Sequence, residues 1–304
     1  MGYTCIEKII MNNLGLKHVR PNDIVTINVD RVMIHDIFVP FVSEKFEEMG
    51  FDKIWDPEKV VLIYDHLVPT SRVEDVRHFQ IGDAFAAKYG IKNVHRGEGI
   101  CHQLMPEAGY VKPGDVVFGT DSHTTTYGSI GAFSSGVGYT EMAAILGTGQ
   151  LWIKVPETIR VTIDGKLPAG VMSKDVILRL IGDLGADGAN YKALEFAGSA
   201  VDSMSIASRM TIANMSVEAG AKVGLFAPDE KVAEYCEVSI EEIPDISADE
   251  NAKYAKEIRY KAEELLPVVA CPSSVDKIKP LTEVEGTPID QVFIGSCTNG
   301  RLED

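Results

Sequence analysis

Two short runs in the first half of the chain restrict its fold more than anything else in it. Val60-Val61-Leu62-Ile63-Tyr64 carries no charged residue and gives way at once to Asp65-His66. Val116-Val117-Phe118-Gly119 does the same and gives way to Thr120-Asp121-Ser122-His123. A strand without a polar face has to be covered on both sides, which is the situation of a parallel sheet between helices. Helical spacing over 71–89, closed by Gly90, separates the two runs. Strand and helix in alternation predict an α/β fold with largely parallel sheets covered by helices.

A third run lies near the other end. Val292-Phe293-Ile294 leads into Gly295-Ser296-Cys297, and Leu302-Glu303-Asp304 reads as the start of a helix. The expectation is a short buried strand that turns through glycine and places Cys297 near a helix N-terminus, where a thiolate is favoured.

The remaining segments fit the same scheme. Helical spacing covers 1–20, a strand is expected over 23–30, and a short helix over 43–50. Residues 91–95 read as a strand broken by Gly97-Glu98-Gly99. The loosely spaced glycines of 128–138 do not form a dinucleotide fingerprint; a nearby ligand or close packing of elements would each account for them. A helix follows over 140–146, and Pro156 marks a boundary. Beyond it come the alternating strand 158–163, a helix over 176–181 capped by Ser173, and a helix over 204–219 with Asn214 and Glu218 four apart on one face. The acidic stretch 237–264 reads as a helical, solvated connector. With 304 residues the chain holds about two domains. The expected division is 1–155 and 156–265 as α/β domains, and 266–304 as the start of a third, truncated one.

Charge sorts the partners. Twenty-nine basic against 45 acidic residues give −16, which argues against nucleic acid and against anionic membranes. No apolar run reaches the length of about 20 residues that a membrane span needs, and no signal-peptide pattern opens the sequence. A cytoplasmic location is the default expectation. The five cysteines are scattered and contain no C-x-x-C pair, so neither a disulfide framework nor a closed zinc site is expected.

The polar residues at the strand ends carry the chemistry. In a parallel sheet such ends share one edge, so Asp65-His66, Asp121-Ser122-His123 and Ser296-Cys297 can converge. A carboxylate beside an imidazole fixes its tautomer and raises its basicity. Asp65, Asp121 and Glu218 are the candidate partners of His66, His102 and His123. Singly, each His-Asp neighbour reads as a satisfied polar corner, Cys297 as a buried thiol, and Asn214 with Glu218 as a solvated helix face. Together they read as an active site.

Those residues also carry a resemblance. Ile294-Gly295-Ser296-Cys297-Thr298-Asn299 resembles the cluster-cysteine signature of the aconitase superfamily. Tyr64-Asp65-His66-Leu67, Gly99-Ile100-Cys101-His102-Gln103, Gly119-Thr120-Asp121-Ser122-His123-Thr124 and Met210-Thr211-Ile212-Ala213-Asn214-Met215 resemble its other motifs in the same order. Within the superfamily the chain is most similar to the two-subunit branch, the large subunits of isopropylmalate dehydratases, with homoaconitase large subunits nearly as close. His35-Asp36, where aconitase proper tends to have glutamine then aspartate, favours that branch.

The resemblance implies an aconitase-like fold and a hydro-lyase that moves a hydroxyl between adjacent carbons of a hydroxy-dicarboxylate by dehydration and rehydration. It implies a [4Fe-4S] cluster held by three cysteine thiolates, with an open iron acting as Lewis acid. By resemblance Cys297 is the first cluster cysteine and Asn214 stands near the cluster. His66 helps protonate the departing hydroxyl with Asp65 beside it. His102 with Asp121, and His123 with Glu218, are acid–imidazole couples, and Ser122 supports substrate contacts. The family's other two cluster cysteines form a C-x-x-C that this sequence lacks. The chain is therefore expected to be a truncated piece that holds no intact cluster and is inactive alone. The family's serine base lies on a separate small subunit, the expected partner. The reading from a different class is a mononuclear metal hydrolase, with three ligands around one zinc.

Overall fold

The computed structural model describes residues 2–304. Its first sheet has five strands, all parallel, in the order Asn93–Arg96, Val60–Tyr64, Arg31–His35, Val116–Gly119, Phe133–Gly136. The chain enters at the middle strand, works outward through 60–64 to 93–96, then crosses back to the other side of the middle.

Both faces of this sheet are covered, which is why its strands read as unbroken apolar runs. Val60, Leu62 and Tyr64 join Phe46 and Phe85 of the helices Val39–Glu48 and Val73–Tyr89 in one core. Val61 and Ile63 point the other way, into a core with Met105, Tyr127 and Met210. All five side chains of 60–64 are buried. Each apolar one contributes roughly 1.5–3 kcal/mol relative to exposure.

The second sheet repeats the winding with four parallel strands, ordered Val223–Phe226, Ala193–Ala197, Thr158–Asp164, Lys256–Lys261. Helix Ser173–Leu184 lays Val176, Ile177, Leu180 and Ile181 on it. Between the sheets runs helix Ile206–Met215. It gives Ile206 and Met210 to the first sheet's core and Ile212, Ala213 and Met215 to the second's. A helix covered on all sides has little use for a polar face.

Two glycines of the 128–138 passage mark where elements touch. A Cβ on Gly128 would lie 2.1 Å from the carbonyl oxygen of Gly224 in the second sheet. One on Gly136 would lie 2.7 Å from the carbonyl oxygen of Asp121. Close packing is the explanation of these two.

The α/β class with parallel sheets stands, and several local expectations do not. The middle strand Arg31–His35 was not anticipated; the strand expected over 23–30 is Ile24–Asn28, which pairs antiparallel with Gln150–Lys154 outside the sheet. The stretch 237–264 is not a helix. Its Lys256–Lys261 portion alternates along an edge strand beside Thr158–Asp164, and short 3-10 turns flank it. The helix expected over 204–219 stops at Met215 and continues as a 3-10 turn, Ser216–Ala219. Val292, Phe293 and Ile294 form no strand and are 72%, 81% and 86% exposed, and only turns follow them. Among the described residues no strand lies beside them, so the segment has no ladder to join.

Candidate active site

Neighbouring strands whose connections depart in opposite directions leave a crevice beyond their carboxyl ends. In the first sheet those strands are Arg31–His35 and Val116–Gly119. Asp36 follows one and Thr120-Asp121 follows the other, while Asp65-His66 extends the next strand along. Two of the three strand ends expected from the sequence thus meet at one edge because the topology brings them there.

Asp121 is the hub. Its Oδ1 lies 2.7 Å from His102 Nε2 and accepts from the His123 backbone N–H at 2.7 Å. Its Oδ2 lies 3.3 Å from His66 Nε2, and His123 Nδ1 stands 3.5 Å from Oδ1. Burial alone would push this carboxyl up, but hydrogen bonds from three imidazoles hold it far below the usual carboxylate range. Asp65 accepts at 2.7 Å from His66 Nδ1 and at 2.7 Å from the Cys101 amide, which outweighs its own burial and lowers it as well. The bend at the strand end lets these neighbours in sequence pair with each other.

The three rings differ in charge. His66, bonded to Asp121 and Asp65, is raised to about 10 and carries a proton at neutral pH. His123, bonded to Asp121 and at 3.3 Å from Glu218 Oε1, is likewise raised to about 10, and it lowers Glu218 in return. His102 is buried, and the loss of solvent lowers it despite its bond to Asp121. Its Nδ1 faces the Tyr127 hydroxyl at 3.3 Å. The site therefore pairs two proton-holding imidazoles with one kept neutral, around one carboxylate. Ser122 stays at the exposed rim, its Oγ 3.3 Å from His123 Nδ1.

Cys297 arrives from a loop rather than a strand end. Asn214, fully buried, holds it in place: its amide donates to Thr126 Oγ1 at 2.9 Å and reaches Cys297 Sγ at 3.5 Å, and its carbonyl accepts from Thr298 Oγ1 at 2.8 Å. The helix-face reading of Asn214 as solvated is overturned by its place between the two sheets; Glu218, in the 3-10 turn, is half-exposed. Arg301 ties the loop down, donating to the carbonyls of Cys297 and Thr298 at 3.1 Å each and to Gln103 Oε1 at 2.8 Å.

Sequence reasoning missed His35 and Asp36 as members of this site. Asp36 is fully buried and accepts from the Leu67 and Ile37 amides, while the His35 ring stacks on His66 at 4.1 Å and 21°. The signal was present: Val32-Met33-Ile34 before His35-Asp36 is a shorter copy of the pattern that marked Asp65-His66. Tyr127, Thr126, Thr298 and Arg301 carry no such mark, because only the folded chain brings them near.

Sequence comparison decides the family. The profile of the aconitase family (aconitate hydratase) matches residues 7–288. The chain belongs to the aconitase family. Among curated relatives, the large subunit 1 of 3-isopropylmalate dehydratase from Methanopyrus kandleri is 48% identical over 307 residues, covering 100% of this chain and 73% of that protein. The probable 3-isopropylmalate dehydratase large subunit of Methanothermobacter thermautotrophicus is 47% identical, with the same coverage. A probable methanogen homoaconitase large subunit from the same organism is 42% identical, over 98% of this chain and 71% of its own length. The aconitase-like fold and the hydro-lyase class expected from the motifs hold.

Complete enzymes of the aconitase family imply an iron–sulfur cluster. Of the donors described, Cys297 fits one thiolate position, half-buried and held by Asn214. Cys101 is buried with its amide donating to Asp65, and the sequence supplies no C-x-x-C to join Cys297. The described residues thus offer one of three thiolates. A single metal ion fits no better. The dense groups are His35, His66 and Asp121, and Asp36, Asp65 and His66. Stacked rings at 21° direct their in-plane lone pairs along nearly parallel planes, so His35 and His66 do not converge on one ion. Asp36 and Asp65 already accept backbone N–H groups. Among the described residues no helix is long and apolar enough to cross a membrane.

Proposed function

We propose that this chain is the large-subunit part of a 3-isopropylmalate dehydratase, the hydro-lyase that converts 2-isopropylmalate to 3-isopropylmalate by dehydration and rehydration in leucine biosynthesis. The observation that carries the reading is Asp121 shared by His66, His102 and His123 at the sheet's switch point, in a chain 48% identical to such a subunit. Removing water from a hydroxy-acid needs a proton delivered to a departing hydroxyl, and His66 holds one between Asp65 and Asp121. The proton of His123 is held by Asp121 and Glu218, and buried His102, between Asp121 and the Tyr127 hydroxyl, fixes the orientation of the shared carboxylate. Ser122 at the rim is suited to contact a substrate carboxylate through its hydroxyl.

Cys297, positioned by Asn214, is the ligand these residues offer to the family's cluster. A separate small subunit would cover the crevice and supply the base that His66 does not, and a cytoplasmic location suits such an assembly. We take 1–155 and 156–265 as the two α/β domains around the sheets and 266–304 as the beginning of a third. The second reading is a homoaconitase large subunit, favoured by the 42% identity to a protein of that description. The test is turnover by the complete two-subunit enzyme of 2-isopropylmalate against homocitrate. Turnover of 2-isopropylmalate is expected; turnover of homocitrate alone would establish the second reading instead.

A further inference from the structure

Beside the edge strand Phe133–Gly136, two lysines stand over one tyrosine. Lys154 Nζ lies 5.0 Å and Lys222 Nζ 5.1 Å from the centre of the Tyr191 ring. Both distances are within cation–π range. Among the described residues no carboxylate forms an ion pair with either ammonium, although Lys222 is half-buried. Two like charges gathered at one ring, in a chain with net charge −16, are a local inversion of the surface.

Tyr191 is held in that position at a cost. Its φ is 60°, a left-handed conformation that is rare for a bulky residue and that is stored where surrounding structure insists on it. Here its amide donates to the Gly220 carbonyl at 3.0 Å and its hydroxyl accepts from the Lys154 amide at 3.2 Å. The ring is thereby fixed between the antiparallel ribbon and the second sheet.

Beside these groups is a cavity of about 260 Å³. Phe118, Phe133, Val137 and Leu151 supply apolar wall, Trp152 stands at its mouth, and Glu141 is the one acidic residue that lines it. The two ammonium groups leave a net positive charge even against Glu141. Burial lowers Lys222 from its ordinary range, and the Glu141 charge offsets this only in part.

We propose that Lys154, Lys222 and Tyr191 form a binding site for a small organic anion, a carboxylate or phosphate group on an apolar body, beside the edge strand Phe133–Gly136. The anion would take its charge partners from the ammonium groups at the Tyr191 ring, with its apolar part against Phe133 and Leu151. None of the three is a residue assigned to the dehydratase chemistry, although Tyr191 and Lys222 also line the neighbouring cavity that reaches Ser122.

Calorimetric titration of the full chain tests it, using inorganic phosphate in one arm and butyrate in the other, against chloride at equal ionic strength. Saturable 1:1 binding in at least one arm is expected, and which arm responds identifies the head group. Lys222→Met should weaken it about ten- to a hundredfold, and Lys222→Arg should retain it. Lys154→Met, at an exposed position, provides the same comparison if Lys222→Met fails to give a cooperative thermal melt. The absence of saturable binding in both arms, or equal affinity in the folded lysine-to-methionine variant, would overturn the proposal.

Discussion

The two parallel sheets of this protein are wound alike and used differently. In each the chain starts at an inner strand, moves outward on one side and returns to the other, leaving a crevice at the carboxyl edge. At the first sheet that edge gathers Asp36, Asp65, His66, Asp121 and His123. At the second it gathers turn-makers: Asp164 Oδ1 accepts from the Ser199 amide at 3.2 Å, Ser199 Oγ from the Gly165 amide at 2.9 Å, and Glu263 from the Lys166 amide at 2.8 Å. These polar groups close loops and have little capacity left. The second sheet's buried charge lies instead within a strand, where Glu195 meets Arg160, the Tyr254 hydroxyl and the Cys5 amide. Winding provides a place for chemistry, and residue choice decides whether any occurs.

The largest test of this contrast exchanges one carboxylate at each edge. Asp121→Asn is expected to lower kcat of the complete two-subunit enzyme about a thousandfold, since the proton-holding state of two histidines depends on that charge. Asp164→Asn is expected to leave kcat within about twofold and to cost roughly 0.5–1 kcal/mol in a denaturant titration, the worth of one hydrogen bond. Comparable kcat losses in both variants would dissolve the distinction.

A middle-sized effect is expected from Glu195→Gln. Breaking a buried ion pair on one side costs about 3 kcal/mol, so the denaturation midpoint should fall clearly while KM of the folded enzyme stays unchanged. A changed KM with normal stability would assign Glu195 to the site rather than to the sheet.

The last test reads the histidine edge through pH. His66 and His123 are raised from 6.5 to about 10, so their contribution is complete below pH 6.5 and is lost as pH rises through 10. His102 is lowered, and it withdraws stability as pH falls below 6.5. Thermal melts should therefore decline from pH 7 to 10, and His123→Gln should make that decline shallower. Equal slopes in the two proteins would break the link between these rings and stability.

Much of the site was legible because its residues follow apolar runs: Asp65-His66 and Asp121-Ser122-His123 stand where a buried strand has to end. Arg31–His35, at the centre of the same sheet, escaped because its apolar part is three residues long and lies close behind another strand. Lys256–Lys261 escaped because the acidic residues around it hid an alternation that only the edge of a sheet explains. Val292–Ile294 failed in the opposite sense, since apolar residues make a strand only where a neighbour offers a ladder. Asn214 looked solvated for want of any sequence signal that its helix is enclosed by two cores.

The stack of His35 on His66 has a consequence for motion. Rotation of the His66 ring about its Cβ–Cγ bond would sweep it through the plane of His35, which is itself buried and edge-on to Phe38 at 5.1 Å. The ring that holds the proton is therefore backed on one face by a buried neighbour. Backed by His35 and bonded to Asp65 and Asp121, the ring is already aimed, so most of the travel of a catalytic cycle falls to the molecule that enters the crevice.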